Sequence, residues 1–357
     1  MADFTIYSGP SEEWTALAAT LPPLADVSPE EKKRVTNELR EASAAKDMLD
    51  NNFHSLVTLT DYSVSTRDGS TVEARTYIPK SAPKDSLLPV YIHLHGGGFL
   101  LGTLSSEDAI CARLALGANV IVLNVNYRHT PEFTYPTAWN DVEDATLWLH
   151  SQLSSSSENP IPGDPEKVVM GGISAGAWIT SSIALRQNIG QILTTIPRLA
   201  GQVLMIPCVT HQDCYAPQGA RLKDESKCSF IENADAPILP AKVARLFSDL
   251  LKIENPREDD LCLSPGNATP EQVRGMPPAV FGITGLDPLR DQGLLYGMLL
   301  AENGVPTDVH LFHGLPHGFR RYGDKLSESK RWDRVMEEGI KWVLNKPEAG
   351  PFEVKLK

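Results

Sequence analysis

From Leu56 onward the chain alternates short apolar runs with longer stretches in which apolar residues recur every three or four positions. The runs are Leu56–Thr66, Thr71–Pro79, Leu88–His95, Asn119–Tyr127, Lys167–Gly172, Leu199–Pro207, Pro278–Gly285 and Thr307–Gly314, a pattern that predicts eight strands. The intervening stretches Ser105–Ala118, Pro136–Leu153, Ala175–Ile189, Pro288–Asn303 and Ser327–Leu344 have helical spacing. Apolar strands alternating with helices imply a largely parallel sheet covered on both faces. Only Arg67–Ser70 separates the first two strands, so that edge reads as an antiparallel hairpin.

Two segments break this alternation. The first fifty or so residues carry no strand pattern; Ser11–Thr20 and Ser28–Leu49 read as helices, the second with Ser28 as N-cap, Pro29 at its first position and acids in its first turn. Between the sixth and seventh strands, Cys208–Met276 holds a polar stretch and a helical segment at Leu239–Lys252. A connection of that length inside a compact domain is usually a lid or binding element. The expected division is therefore 1–52 as N-terminal cap helices, 53–207 with 277–357 as core, and 208–276 as a cap insertion. Ser151–Pro165 reads as a surface loop, and no internal repeat is visible.

Composition narrows the partners. The 357 residues are 41% apolar and 22% charged, which is ordinary for a globular protein. A formal charge of −12 disfavours nucleic acid and anionic membrane surfaces. Five cysteines without CxxC spacing suggest neither a disulfide framework nor a zinc site. The start lacks a basic region followed by an apolar one, and no apolar stretch reaches spanning length, so the expected location is the cytoplasm, without stable membrane insertion. The sequon at Asn267 then reads as a coincidence of a polar loop.

Chemistry gathers at the ends of the strands. Gly172-Ile-Ser-Ala-Gly176 follows the fifth strand and opens a helix, the pattern of a sharp turn that exposes Ser174 Oγ beside a helix N-terminus. His95-Gly-Gly-Gly98 follows the third strand. Its glycines can aim the N–H groups of Gly97 and Gly98 at a developing oxyanion, with Ala175 N–H as a third donor. His95 reads as an anchor of that loop rather than a proton carrier. A serine nucleophile needs a base, and the base an acid that fixes its tautomer. Asp287, after the seventh strand, and His317, after the eighth, follow Ser174 in the order Ser, Asp, His. Asp291 is the competing acid, but its place in a helix start suits an N-terminal charge role better. His310 and His313 read as strand or rim residues, and a metal site from His313 and His317 lacks carboxylates at ligand spacing. Phe99, Leu100, Trp178 and Leu289 are candidates to line a substrate pocket, with Trp14 closing it from above.

With His95–Phe99, Gly172–Gly176, Asp287–Asp291 and His317–Phe319, the chain resembles the hormone-sensitive-lipase-like carboxylesterases of the α/β-hydrolase superfamily. The likeness covers about Leu56–Leu344 and includes Asn126–Asp141, similar to that branch's Tyr-Arg…Pro-Glu…Pro…Asp segment. The resemblance implies an α/β-hydrolase fold with a helical cap. It also implies Ser174 as nucleophile, His317 as base, Asp287 as acid, and Gly97, Gly98 and Ala175 as oxyanion donors, with no cofactor and no metal. The family usually has Asp before the nucleophile, where this chain has Ile173. The expected function is hydrolysis of small to medium neutral carboxylic esters through an acyl-enzyme. Acyl transfer or cyclisation on the same fold is the alternative, and a non-catalytic small-molecule receptor the third reading. The expected partner is an ester or related acyl compound, with a homodimer as the candidate assembly.

Overall fold

The computed structural model describes residues 1–22, 27–83, 86–153 and 161–357. The strands are β1 (Val57–Ser65), β2 (Thr71–Pro79), β3 (Leu88–Leu94), β4 (Ile121–Asn126), β5 (Gly163–Ile173), β6 (Gly201–Met205), β7 (Ala279–Leu286), β8 (Thr307–Pro316) and β9 (Val354–Lys355). They form one sheet in the order β1-β2-β4-β3-β5-β6-β7-β8-β9. β1 pairs antiparallel with β2 and β2 with β4, while every later pairing is parallel. The hairpin edge and the parallel body follow the expected α/β pattern.

Two expectations need correction. A ninth strand exists: Val354 and Lys355 pair with Val309 and His310 of β8, too short a run in too polar a tail to show as a strand pattern. β5 also begins at Gly163, inside the stretch expected to be a loop, because Leu88 pairs with Gly163 ahead of the main ladder with β3. Residues 154–160 of that expected loop lie outside the described residues.

The α-helices of seven or more residues are α1 (Glu12–Ala18), α2 (Pro29–Asp50), α3 (Asp108–Ala118), α4 (Thr137–Gln152), α5 (Ala175–Asn188), α6 (Ala241–Leu250), α7 (Arg290–Glu302) and α8 (Ser329–Leu344). Ser28 caps α2 as expected, its side chain accepting from Glu31 N at 3.2 Å. The period of two along each strand divides the core. Val90, Ile92 and Leu94 face one apolar layer with Trp139, Ile179 and Leu294 of α4, α5 and α7. Tyr91 and Val122 face the other, with Leu114 of α3 and Trp332 of α8. The sheet is thus buried on both faces, and its loops at the carboxyl ends of the strands are free to carry function.

The 208–276 segment folds into short helices and α6. The extreme N-terminus joins it, with Ala2 bridging to Leu222.

Candidate active site

Three strand ends converge. Ser174 sits directly between β5 and α5 with φ 56° and ψ −112°, a conformation that is strained for any residue with a side chain. The turn is tight enough that a Cβ on Gly176 would lie 2.1 Å from Leu94 O, and one on Gly172 would lie 2.4 Å from Gly176 C. His317 follows the last residue of β8, and Asp287 the last of β7. His317 Nε2 is 2.9 Å from Ser174 Oγ, and His317 Nδ1 is 2.7 Å from Asp287 Oδ2.

Asp287 is 1% exposed, and its two oxygens are fully engaged. Oδ2 also accepts from Thr284 Oγ1 at 3.0 Å, and Oδ1 accepts from Leu289 N at 2.9 Å. A carboxylate only accepts, so His317 Nδ1 carries the proton and Nε2 is left to accept from the serine hydroxyl. Asp291 is directed elsewhere. It accepts from Ser229 N and from Arg290 Nε, and burial, only partly offset by Arg290, pushes its carboxyl above the usual carboxylate range.

The glycine loop lies beside this turn. Gly97 and Gly98 have φ of 139° and 61°, and a Cβ on Gly98 would lie 2.2 Å from the ring of Phe247, so neither position suits a larger residue. Among the described residues, the N–H groups of Gly97, Gly98 and Ala175 have no protein acceptor. Three free donors at one mouth of the sheet can hold a negative oxygen.

His95 lies beneath the loop, fully buried, its Nδ1 3.1 Å from Gly96 O and its Nε2 3.2 Å from His129 Nε2. Because a carbonyl only accepts, His95 Nδ1 donates, and His129 Nε2 donates to His95 Nε2. Burial pushes His95 down to about 4 and His129 well below the usual histidine value, so both rings are neutral near pH 7.

A cleft opens next to Ser174. Gly98, Phe99, Ser174, Ala175, Trp178 and Leu289 line it from the core. Cys208, Gln212, Leu239, Ala244, Phe247 and Ser248 line it from the segment between β6 and β7. Phe99, Trp178 and Leu289 are thus where a pocket was expected. Trp178 is fixed by its indole N–H, which donates to Leu263 O at 2.7 Å, and by its edge against Phe99. Burial raises the Cys208 thiol well above its ordinary value, so that cysteine is a neutral wall residue.

Leu100 departs from expectation. It is 0% exposed and absent from the cleft, because positive φ at Phe99 and the bond from Leu100 N to Gly97 O curl the chain and turn that side chain inward. Trp14 is also not a lid. It is buried against Tyr322, with ring centroids 5.7 Å apart. Among the lining residues that sequence reasoning missed are Leu239, Ala244 and Phe247, which lie in a stretch with visible helical spacing but with no sign of what it faces; Cys208, Gln212 and Ser248 left no signal. Ile173 ends β5 half-buried against the apolar layer that contains Met205. Among the described residues no group of three or more His, Cys, Asp or Glu could hold a metal, and no helix is long and apolar enough to cross a membrane. All five cysteines are free.

Known proteins resemble this chain in sequence and in fold. A family model described as the α/β hydrolase fold matches residues 91–321. Esterase LipI of Mycobacterium tuberculosis is 35% identical over 256 residues, 70% of this chain and 72% of that protein. A structure titled vibralactone cyclase superposes with a TM-score of 0.83 at 27% identity, covering 97% of this chain and 98% of the other. A bacterial heroin esterase superposes with a TM-score of 0.79 at 26% identity, covering 94% and 98%. The chain belongs to the α/β-hydrolase family, in its hormone-sensitive-lipase-like carboxylesterase branch, and is a carboxylesterase-type hydrolase.

Proposed function

We propose that the protein hydrolyses small to medium neutral carboxylic esters through an acyl-enzyme on Ser174. Ser174 Oγ attacks the ester carbonyl while His317 Nε2 takes its proton, forming the Oγ–C bond and a tetrahedral oxyanion. The N–H groups of Gly97, Gly98 and Ala175 receive that oxyanion. As the C–O bond to the alcohol breaks, His317 returns the proton to the leaving oxygen. Water then enters, gives a proton to His317, and attacks the acyl carbon. Ser174 leaves protonated and the acid departs. Asp287 holds the imidazole in its tautomer and stabilises the imidazolium that forms twice per cycle.

The observation that carries this reading is the continuous chain Ser174 Oγ, His317 Nε2, His317 Nδ1, Asp287 Oδ2, with contacts of 2.9 and 2.7 Å. Neutral substrates fit the cleft, whose walls are mostly aliphatic and aromatic. The segments 1–52 and 208–276 serve as the cap, the second lining the cleft with Leu239 and Phe247. The test is turnover of p-nitrophenyl butyrate by Ser174→Ala. Loss of about 10⁶-fold in kcat is expected. An active Ser174→Ala protein overturns the assignment.

A second reading is cyclisation or acyl transfer, in which an internal or external hydroxyl replaces water. The vibralactone cyclase superposition over nearly the whole chain favours keeping it. Product analysis separates the two: adding a primary alcohol diverts product to the new ester under acyl transfer and leaves acid release unchanged under hydrolysis.

A further inference from the structure

Helix α2, in the segment proposed as part of the cap, has one face bonded to the glycine loop and its surroundings. Lys33, Asn37, Arg40 and Glu41 recur at helical spacing on that face. Lys33 Nζ donates to Thr130 O at 3.3 Å. Gly102 N donates to Asn37 Oδ1 at 2.8 Å, and Thr103 Oγ1 donates to Glu41 Oε1 at 2.6 Å. Arg40 reaches the other end of the loop, where its Nη1 donates to Gly96 O at 3.0 Å.

Gly96 O belongs to the same peptide unit as Gly97 N–H. The unit is trans, so its carbonyl and its N–H point in opposite directions. Arg40 Nη1 and His95 Nδ1, at 3.0 and 3.1 Å, are both donors to that carbonyl, which therefore has both lone pairs occupied. The plane of the peptide cannot rotate without losing one of them. A cation on the oxygen also draws electron density through the amide and makes the N–H on the far side a stronger donor.

Arg40 is itself fixed. Its Nη2 donates to Glu107 Oε1 at 2.6 Å, and Glu107 Oε2 is 3.0 Å from His93 Nε2. Glu107 is 1% exposed, and although burial alone would raise its carboxyl, Arg40 and His93 bring it down to about 2. A fully charged, buried carboxylate thus holds the guanidinium at the loop.

Given the proposed role of Gly97 as an oxyanion donor, we propose that Arg40 is a positioning residue for the reaction. From the N-terminal helix, locked by Glu107 and His93, it orients and polarises the Gly96–Gly97 peptide so that Gly97 N–H meets the transition-state oxygen. It touches no substrate. Its effect belongs to kcat, because ground-state ester binding in the cleft of Trp178 and Phe247 does not depend on it.

The experiment measures kcat and KM on p-nitrophenyl butyrate, together with inhibition by a trifluoromethyl ketone, whose adduct with a serine carries a tetrahedral oxyanion. Arg40→Met is expected to lower kcat by about 10- to 100-fold with KM within twofold, and to weaken the ketone by the same factor. Arg40→Lys, which keeps the charge and a donor, is expected to recover part of both losses. Since Arg40→Met deprives the buried Glu107 carboxylate of its guanidinium, the double variant Arg40→Met/Glu107→Gln removes that charge and is expected to show the same kcat loss in a stably folded protein. Active-site titration normalises every rate to competent enzyme. Unchanged kcat and ketone affinity in the folded double variant overturn the proposal, as does a rise in KM at constant kcat, which would make α2 a pocket wall. Ser174→Ala in the same assay keeps the two readings apart. If it retains activity, the serine mechanism itself fails; if it is dead while Arg40→Met is unimpaired, only the role of Arg40 fails.

Discussion

On one side of Ser174 the glycine loop is held by polar bonds: His95 and Arg40 on Gly96 O, Asn37 on Gly102 N, Glu41 on Thr103, and His129 under His95. On the other side the wall of the cleft is Leu239 and Ala244 packed on Leu289, with Phe247 and Val243 half-buried around them. Directional bonds with few alternative partners hold a backbone in one place. A small apolar cluster holds shape only as far as its volume is filled, and tolerates exchange of similar side chains. The first flank is therefore suited to aiming donors at a charge, and the second to setting which acyl groups fit. Substitutions on the first should act on kcat, and those on the second on the order of preference among substrates.

The largest break in that comparison is expected at Asp287. Asp287→Asn replaces the acceptor of His317 Nδ1–H with an amide that can present its own N–H, so the imidazole turns to the wrong tautomer and can no longer accept from Ser174. A loss of about 10⁴-fold in kcat is expected with KM little changed. Steady-state kinetics on a short p-nitrophenyl ester checks it, and a loss under tenfold would remove Asp287 from the reaction. Gly98 is where the two flanks meet, since its added Cβ would lie 2.2 Å from the Phe247 ring at a φ of 61°. Gly98→Ala is expected to lose about 10²–10³-fold in kcat by displacing a donor. Adding Phe247→Ala should recover part of that loss. An equal loss in both backgrounds would assign the whole cost to the backbone of the loop.

The same contrast explains what the sequence made legible. Ser174, Asp287 and His317 could be read because a strand-to-helix turn and two strand ends leave local signatures in glycine, order and spacing, and the parallel sheet then brings its carboxyl ends together whatever the helices do. Phe99, Trp178 and Leu289 were legible as neighbours of those positions. Leu100 misled because adjacency to the loop says nothing of which way a curled chain turns each side chain. Phe247 sits in a helix that was recognised as such and Leu239 just ahead of it, but a helical stripe does not say what it faces. Arg40 and Glu107 left no signal, since a basic residue on a charged helix reads as solvated until its partner, 67 positions on, is known to be buried. The ninth strand escaped for the opposite reason, being two residues that β8 organises rather than a run with a pattern of its own.

Acid is expected to loosen the polar flank. His95 is neutral when folded, with burial lowering it to about 4, while the unfolded chain takes up that proton near the ordinary histidine value of 6.5. A group whose folded value is depressed in this way contributes its full stability above about 6.5 and loses it as the pH falls towards 4. From pH 7 to pH 5 the loss from His95 alone is about 2 kcal/mol, with His129 adding in the same direction. Thermal unfolding followed at both pH values checks this. His129→Gln, which drops one titrating ring but can still donate to His95 Nε2, should flatten the dependence. A melting temperature that is the same at both pH values would mean that these rings are already charged or solvated in the folded protein.

The smallest effect is expected from the wall alone. Phe247→Ala removes an aromatic face that borders both Gly98 and the cleft, without touching a hydrogen bond of the glycine loop. Space opened there favours acyl chains longer by two or three methylenes, and discrimination in an apolar pocket is worth only about 1–3 kcal/mol per methylene at best. Because the small cluster around Leu289 can partly collapse into the gap, the preference should shift by about tenfold towards the longer ester. A chain-length series from acetate to octanoate, compared as kcat/KM ratios, measures it. If every ester instead loses the same factor in kcat, Phe247 is holding Gly98 in place and the wall is part of the machinery rather than its mould. If the preference moves while kcat on the short ester stays, the two flanks are separable, and selectivity can be changed from α6 without disturbing the donors that Arg40 and His95 hold.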